Sequence, residues 1–469
     1  MKSDSYNNFP RRCKLLALCE FAMLSISYLI ASNLNRGLEI TGQSSELPPG
    51  ALIAYAGVFA LIVQLCFLSL GLYNPKLREG FKGVLRRLAL GLTFGALLLA
   101  GFHNLFLADI IHWQLIPFAA ILGGALVGLV RWQVYRKDLL SHKKNRILVL
   151  GSGERASIIE KRMRRKVDRQ WFTITGYVVM DGDATDQIDS DKKVNVNLDN
   201  LVDYAMENDI SEIVIAADDR RKILPVDALF TCKLMGISVI EILDFIERES
   251  GQLAVNLIYP SWIIYSDGFR PHREPAQEAE WLFHSFLAVL VFALTWPLML
   301  LTVIAIKLED GWKAPVLYTQ DRVGLAGRLF RIAKFRSMRI DAESGGAVWA
   351  QKNDDRTTRV GRLIRKYRID ELPQLYNVIR GDMGFVGPRP ERPEMIKNLS
   401  AEIPYYNQRH CVKPGLTGWA QLKYPYGASF DDSMEKLKYD LYYVKHRSFL
   451  LDLNILFQTA EVLLFGKGR

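Results

Sequence analysis

Four predominantly apolar runs open the chain, at roughly Leu15–Leu34, Ala51–Tyr73, Leu88–Ala108 and Ile110–Val130. Each is near the ~20 residues an α-helix needs to cross a hydrocarbon layer. They predict four transmembrane spans. The first run is too long, and too plainly followed by others, for a cleaved signal peptide. Glu20, inside it, is expected to face another helix.

Flanking charges orient the spans. Arg11, Arg12 and Lys14 precede the first; Lys76, Arg78, Lys82, Arg86 and Arg87 lie between the second and third; Arg131, Arg136, Lys137, Lys143, Lys144 and Arg146 follow the fourth. The positive-inside rule therefore places the N-terminus and everything after span four in the cytoplasm. In a chain of 469 residues, 49% hydrophobic content with a net charge of +10 fits a mix of embedded and soluble regions that favours anionic partners. Cys13, Cys19, Cys66, Cys232 and Cys411 are scattered with no CxxC, which argues against a disulfide framework or a zinc site.

From Arg146 the texture changes. Arg146–Leu150 reads as a strand entering Gly151-Ser152-Gly153-Glu154-Arg155-Ala156, and a helix follows. Further strands are expected at Thr173–Met180, Glu212–Ala216 and Ser238–Glu241, separated by helices near Leu201–Asn208 and Ala228–Met235. This alternation predicts a parallel α/β sheet. The Gly151/Gly153 turn is of dinucleotide type, but the ribose-binding acid is not clean, since Asp168 comes early and Asp181 late. Two readings stay open: a turn that binds a nucleotide, and a turn kept for structure alone.

Leu282–Ile306 carries no Asp, Glu, Lys or Arg. A complete crossing would put Lys307, Lys313, Arg322 and Arg328 on the wrong side of the positive-inside rule. Pro297 near its middle breaks or kinks a helix. A re-entrant hairpin bent at Pro297 is expected, with Thr295 or Trp296 serving the freed carbonyl; an ordinary kinked fifth span is the alternative.

Beyond it, Asp370 and Glu371 end a basic stretch of Arg356, Arg359, Arg362, Arg365, Lys366 and Arg368. Adjacent carboxylates among cations suit phosphate chemistry: the acids hold a divalent metal or attack phosphorus, and the cations hold phosphates. The carboxylate needs no base at neutral pH, and nearby cations are expected to keep it ionised. Arg389, stiffened between Pro388 and Pro390, suits a fork-shaped phosphate contact. Lys334 and Arg336 are further clamp candidates, or a basic face resting on anionic lipid. His410 and Cys411 lack any accompanying metal spacing and are read as structural. Trp419 and Tyr424 either stack on a base or pack in the core. Phe449–Phe465, with Asp452 and Glu461, is either an amphipathic surface helix or a core helix.

The ordered strings Gln320-Asp321-Arg322-Val323-Gly324, Lys334-Phe335-Arg336-Ser337-Met338, Asp370-Glu371-Leu372-Pro373-Gln374, Gly381-Asp382-Met383, Gly387-Pro388-Arg389-Pro390-Glu391 and Lys413-Pro414-Gly415-Leu416-Thr417-Gly418-Trp419 resemble the catalytic domain of the bacterial sugar transferases. These are the polyprenyl-phosphate sugar-1-phosphate transferases, or monotopic phosphoglycosyl transferases. The front half resembles their large members, with four spans and a CoA-binding-like Rossmann domain, that initiate exopolysaccharide or O-antigen synthesis.

The resemblance implies a membrane protein of α plus α/β class. Its parts are a four-helix transmembrane bundle over 1–133, a Rossmann-like parallel α/β domain over 134–255, a linker over 256–280, and a re-entrant hairpin with a mostly helical catalytic domain over 281–469. It implies transfer of sugar-1-phosphate from a UDP-sugar to undecaprenyl phosphate at the bacterial inner membrane, with release of UMP. Asp370 is the implied nucleophile and Glu371 the Mg²⁺ ligand; Lys334, Arg336, Arg368, Gln374, Pro388 and Arg389 are the implied substrate contacts. A homodimer and contact with inner-membrane lipid are expected, with glucose or galactose as the sugar. Family members commonly carry Ser-Pro where this chain has Trp296-Pro297, so Thr295 is expected to replace the serine.

Two other classes compete. A membrane-anchored NAD-dependent nucleotide-sugar dehydratase or epimerase needs a Tyr-x-x-x-Lys pair, and no Lys here has Tyr four positions before it. A non-catalytic nucleotide-sensing scaffold would not need Asp370. A nucleic-acid binder is disfavoured because no reader motif accompanies the basic stretch.

Overall fold

The computed structural model describes residues 11–38, 49–73, 81–106, 115–141, 144–163, 169, 172–181, 183, 187–219, 224–269, 274–340, 355–424, 427 and 429–465. Contacts divide the chain into two units, Met1–Ile240 and Glu241–Arg469.

The first unit begins with four long helices, α1 (Arg11–Leu38), α2 (Pro49–Ser69), α3 (Phe81–Phe106) and α4 (Leu115–Ser141). α1 packs on α2 and α4, and α3 packs on the same two. Their shared core includes Leu24, Tyr28, Phe59, Val63, Phe67 and Val127. Small residues let the helices approach closely; a Cβ on Gly95 would press into Val63, and one on Gly123 into Leu24 and Ser27.

The helix limits differ from the sequence expectation. α3 starts seven residues earlier, at Phe81, and α4 is described only from Leu115, with 107–114 outside the described residues. Two arginines read as loop charges are buried instead. Arg87 donates to the Leu70 carbonyl. Arg131 grips Glu20, with Nε 2.7 Å from Oε1 and Nη2 2.9 Å from Oε2. Tyr73 donates to the same carboxylate. Glu20 does face another helix, as its cost in an apolar setting requires.

A parallel α/β layer follows, with β1 (Asn145–Leu150), α5 (Glu154–Arg162), β2 (Phe172–Val178), β3 (Lys193–Val194), α6 (Leu201–Glu207), β4 (Glu212–Ile215), α7 (Val226–Leu234) and β5 (Ser238–Glu241). Strand order is β3-β2-β1-β4-β5, and the β1–β2, β1–β4 and β2–β3 pairs are parallel. The near-continuous apolar run Ile147–Leu150 is fully buried, as a strand covered on both faces must be.

The second unit is mostly helical: α8 (Ile242–Ser250), α9 (Pro260–Tyr265), α10 (Glu274–Asp310), β6 (Leu317–Val323), β7 (Leu329–Phe335), α11 (Arg359–Lys366), α12 (Leu375–Arg380), β8 (Gly384–Val386), α13 (Pro393–Glu402), β9 (Gly415–Thr417), α14 (Trp419–Lys423), α15 (Phe430–His446) and α16 (Phe449–Phe465). β6 and β7 form an antiparallel hairpin, and β8 pairs with β9 in parallel. α15 opens with a capping box: Ser429 Oγ accepts from Asp432 N, and the Asp432 carboxylate accepts from Ser429 N.

α10 is one helical element with Pro297 inside it, rather than two helices separated by a break. Thr295 Oγ1 donates to the Val291 carbonyl at 2.7 Å, not to the Ala293 carbonyl that Pro297 leaves without a donor. Near its start, Ala288 packs on Leu375, Val378 and Met383; near its end, Ile306 packs on Phe335 and Ile364. Between these anchors Leu294, Trp296 and Leu301 are exposed. Among the described residues, five helices are long and apolar enough to cross a membrane: α1 to α4, and α10 over Gln277–Asp310.

Candidate active site

The acid pair lies on a 3₁₀ turn, Ile369–Gln374, between α11 and α12. Arg368 enters this turn with φ 57°, a left-handed conformation that is costly for a side chain other than glycine. α11 is fixed at its start by Glu309, whose carboxylate accepts from Arg359 N at 2.7 Å and Val360 N at 2.9 Å. Asn377 ties α12 to β7, donating to Arg331 O at 2.9 Å and accepting from Ala333 N at 3.3 Å. The carboxylates are thereby held against the strand that carries Lys334.

Three cations converge on Glu371. Its Oε1 lies 2.6 Å from Arg389 Nη2, 3.5 Å from Lys334 Nζ and 3.8 Å from Arg368 Nη1. Burial works against the ionised form, but Arg389 and Lys334 outweigh it and hold the Glu371 carboxyl well below the usual range. Asp370 is 9% exposed and has no hydrogen-bond or ion-pair partner among the described residues. Burial first, then the charge on Glu371, push its pKa up; Lys334, Arg389 and Arg365 pull it back only in part. Nearby cations do favour the ionised form of Asp370, as expected, but burial and the charge on Glu371 outweigh them.

The Arg389 loop is clamped by backbone. Gly387 N donates to Thr417 O at 2.9 Å, and Gly415 N to Pro388 O at 3.0 Å. A Cβ on Gly387 would run into the Lys413–Gly415 backbone, so glycine is required by close approach. Pro388 is buried in this contact. Arg322 donates to Pro390 O at 3.0 Å, and Arg409 to Arg389 O at 2.9 Å. Arg409 is itself buried against Asp440 at 2.8 Å. Sequence reading missed Arg409, Asp440 and Asn377; none of them stands in a spacing that announces its partner.

Other sequence candidates fall elsewhere. Arg336 is 6% exposed and pairs with Asp310 at 2.7 Å, a buried tie at the end of α10. Gln374 is buried, with Nε2 unpartnered among the described residues. Trp419 donates to Gly251 O and stacks on Tyr442, and Tyr424 bonds Asp432, so both serve packing and capping. α16 buries Leu451, Asp452 and Ile455, and Thr459 meets Thr417, so it packs as a helix of this unit. The Glu461 side chain lies outside the described residues, as does Asp168.

In the first unit the glycine turn is closed by the chain's own acids. Asp218 accepts from Glu154 N at 3.0 Å and Arg155 N at 2.9 Å; Asp183 accepts from Ser152 N at 2.7 Å and Met180 N at 3.2 Å. Those are the donors a pyrophosphate would use at a helix N-terminus. A Cβ on Gly153 would strike the Asp218 carboxylate, and one on Gly151 the Ala216–Ala217 backbone, so both glycines have a structural reason.

Residues 276–466 match the family model described as bacterial sugar transferase, and residues 69–230 match that of a CoA-binding domain. The uncharacterized sugar transferase EpsL of Bacillus subtilis is 39% identical over 191 residues that make up 88% of its length and 40% of this chain. The chain belongs to the bacterial sugar transferase family. Larger family members also match. The UDP-N-acetylgalactosamine-undecaprenyl-phosphate N-acetylgalactosaminephosphotransferase of Aeromonas hydrophila is 49% identical over 181 residues, 39% of this chain and 42% of that protein. The undecaprenyl-phosphate glucose phosphotransferase of Komagataeibacter xylinus is 30% identical over 347 residues, 69% of this chain and 60% of that protein. The chain therefore spans about two fifths to three fifths of these two sugar transferases.

As hard oxygen donors, the Asp370 and Glu371 carboxylates fit the Mg²⁺ implied by the family. Burial and the neighbouring Glu371 charge raise the Asp370 pKa, and a cation bound there would counter both.

Proposed function

We propose that this chain transfers a sugar-1-phosphate from a UDP-sugar to undecaprenyl phosphate, releasing UMP. The observation that carries this reading is the contrast within the acid pair: Glu371 gathers three cations, while Asp370 has no hydrogen-bond or ion-pair partner among the described residues.

An Asp370 carboxylate oxygen attacks the sugar-bearing phosphorus. The new P–O bond forms as the bond to the bridging oxygen breaks, and UMP leaves with that electron pair. A phosphate oxygen of undecaprenyl phosphate then attacks the same phosphorus, forming the lipid diphosphate and freeing Asp370. Arg389, Lys334 and Arg368 are placed to bind the diphosphate oxygens, a service worth most in a buried, preorganised site. Glu371 holds those cations ready. Gln374 offers an unpartnered donor beside the pair. Arg336 and Pro388 act on backbone placement. The Glu371 and Asp370 carboxylates would hold Mg²⁺, which would supply positive charge toward the diphosphate.

α1 to α4 are assigned as a transmembrane bundle, and the catalytic unit to the cytoplasmic face of the inner membrane. α10 is assigned as re-entrant. Trp281 Nε1 donates to Ile379 O, and Glu309 caps α11, so both ends are tied to the 359–383 segment although a straight helix between them would run about 42 Å. The domain limits 1–133, 134–255, 256–280 and 281–469 and a homodimer complete the assignment. The turn at Gly151 is read as internally closed rather than nucleotide-binding.

The test is to incubate the purified chain with Mg²⁺, undecaprenyl phosphate and UDP-glucose, UDP-galactose or UDP-N-acetylgalactosamine, and to measure UMP. Intact mass should show a phosphosugar adduct that Asp370→Asn abolishes. Single-displacement kinetics without an adduct would overturn the mechanism.

A further inference from the structure

A second group of chemistry-bearing side chains lies where α10 meets α16. Glu280 and His284 are four residues apart and so share one face of α10. Asp452 reaches them from α16. One ligand atom from each of the three lies within 4.8 Å of the others. The cluster is buried: His284 is 3% exposed and Asp452 2%.

The imidazole supplies the independent observation. His284 Nε2 is buried and has no hydrogen-bond partner among the described residues. Buried polar atoms are nearly always paired, so this one calls for a missing partner. The ring is wedged in place, since a Cβ on Gly384 would stand 3.2 Å from Nδ1. The two carboxylates are held by neighbouring donors. Tyr443 Oη donates to Asp452 Oδ1 at 2.8 Å, and Arg447 Nη2 meets both oxygens of Glu280. Outer hydrogen bonds of this kind orient the ligands of metal centres.

We propose that Glu280, His284 and Asp452 form a divalent transition-metal site that fastens the base of α10 to α16. One imidazole nitrogen and two carboxylate oxygens suit Zn²⁺, at bonds of about 2.0–2.2 Å. Mg²⁺ prefers an all-oxygen shell with several waters, so this centre differs in kind from the Asp370–Glu371 pair. Ligand atoms around a tetrahedral ion stand about 3.4 Å apart, so closure from 4.8 Å needs only side-chain adjustment. Glu280 and His284 also line a cavity of about 300 Å³, which leaves the fourth position open to water.

The experiment uses the full chain in detergent, stripped with EDTA and titrated with Co²⁺ as a spectroscopic stand-in for Zn²⁺. One equivalent should bind with visible d–d bands, resist millimolar Mg²⁺ and be displaced by Zn²⁺. His284→Gln and Asp452→Asn should each weaken binding at least about tenfold, with Glu280→Gln as a further variant should either fail to fold. Asp370→Asn should leave the bands unchanged. No Co²⁺ binding by the wild type would overturn the proposal, as would variants that bind like the wild type. Thiolate charge-transfer bands would do so too, because they would make Cys411, in the same cavity wall, the ligand. The readout is metal binding, so it stands or falls apart from UMP release.

Discussion

Arg389 reaches Glu371, not Asp370: its Nη2 lies 2.6 Å from Glu371 Oε1. Lys334 and Arg368 follow it to the same oxygen. Two neighbouring acids of one turn are thus set to opposite tasks by environment alone. One is a permanently charged anchor for cations, and the other a carboxylate whose charge is under pressure.

Removing the anchor should separate these tasks. Glu371→Gln should cut UMP release by about 10²-fold or more, because the phosphate-binding cations lose their fixed position. It should also move the pH dependence. Asp370 attacks only when ionised, so activity falls as pH drops through its raised pKa. Glu371 is one of the two causes of that rise, and its loss lowers the pKa. The acid limb of single-turnover adduct formation should therefore shift to lower pH; a shift to higher pH would contradict the assignment.

The support beneath the Arg389 loop should be expensive to disturb. Asp440→Ala leaves the Arg409 guanidinium buried without its carboxylate, a loss of about 3–5 kcal/mol. Thermal unfolding in detergent should show a lower midpoint, and Asp440→Ala with Arg409→Met should recover part of it.

Glu20 and Arg131 should behave alike in the helical part of the first unit. Glu20→Leu alone strands a buried arginine and should destabilise by about 3 kcal/mol. Glu20→Leu with Arg131→Leu should be close to the wild type in a melt, and equal damage from the single and double variants would disprove the pairing.

At the glycine turn, Gly153→Ala should cost about 1–3 kcal/mol by driving a methyl group into the Asp218 carboxylate. Adding Asp218→Ala removes the obstacle, so the two changes should be strongly non-additive in chemical denaturation. Additive losses would show that the clash is not what requires glycine there.

How far these arrangements were legible in the chain depends on the range of the interaction. The acid pair, Arg389 and Lys334 could be singled out because charge clustering and proline-flanked arginine are local signals, and the structure does bring them together. The parallel sheet was legible from alternating apolar strands and helices. Pairings across distance were not. Arg409 finds Asp440 and Arg131 finds Glu20 without any periodicity to link them, and Arg336 is drawn to Asp310 on a neighbouring element. Charge counting found cations near the acid pair but could not say that Lys334, Arg368 and Arg389 touch Glu371 rather than Asp370. The glycine turn stayed open between a nucleotide site and a structural turn because the acid packed against Gly153, Asp218, arrives 65 residues later.

Asn377 welds the backbone at Arg331 and Ala333 to α12, with Asp382 in reach of the same amide. Relatives of this protein should accordingly tolerate extra residues at the hairpin tip near Leu325–Gly327, where no such weld exists among the described residues. Between Ile369 and Asp382 a single inserted or deleted residue would rotate the acid pair away from its strand. That stretch should keep its length through evolutionary drift even where its composition changes.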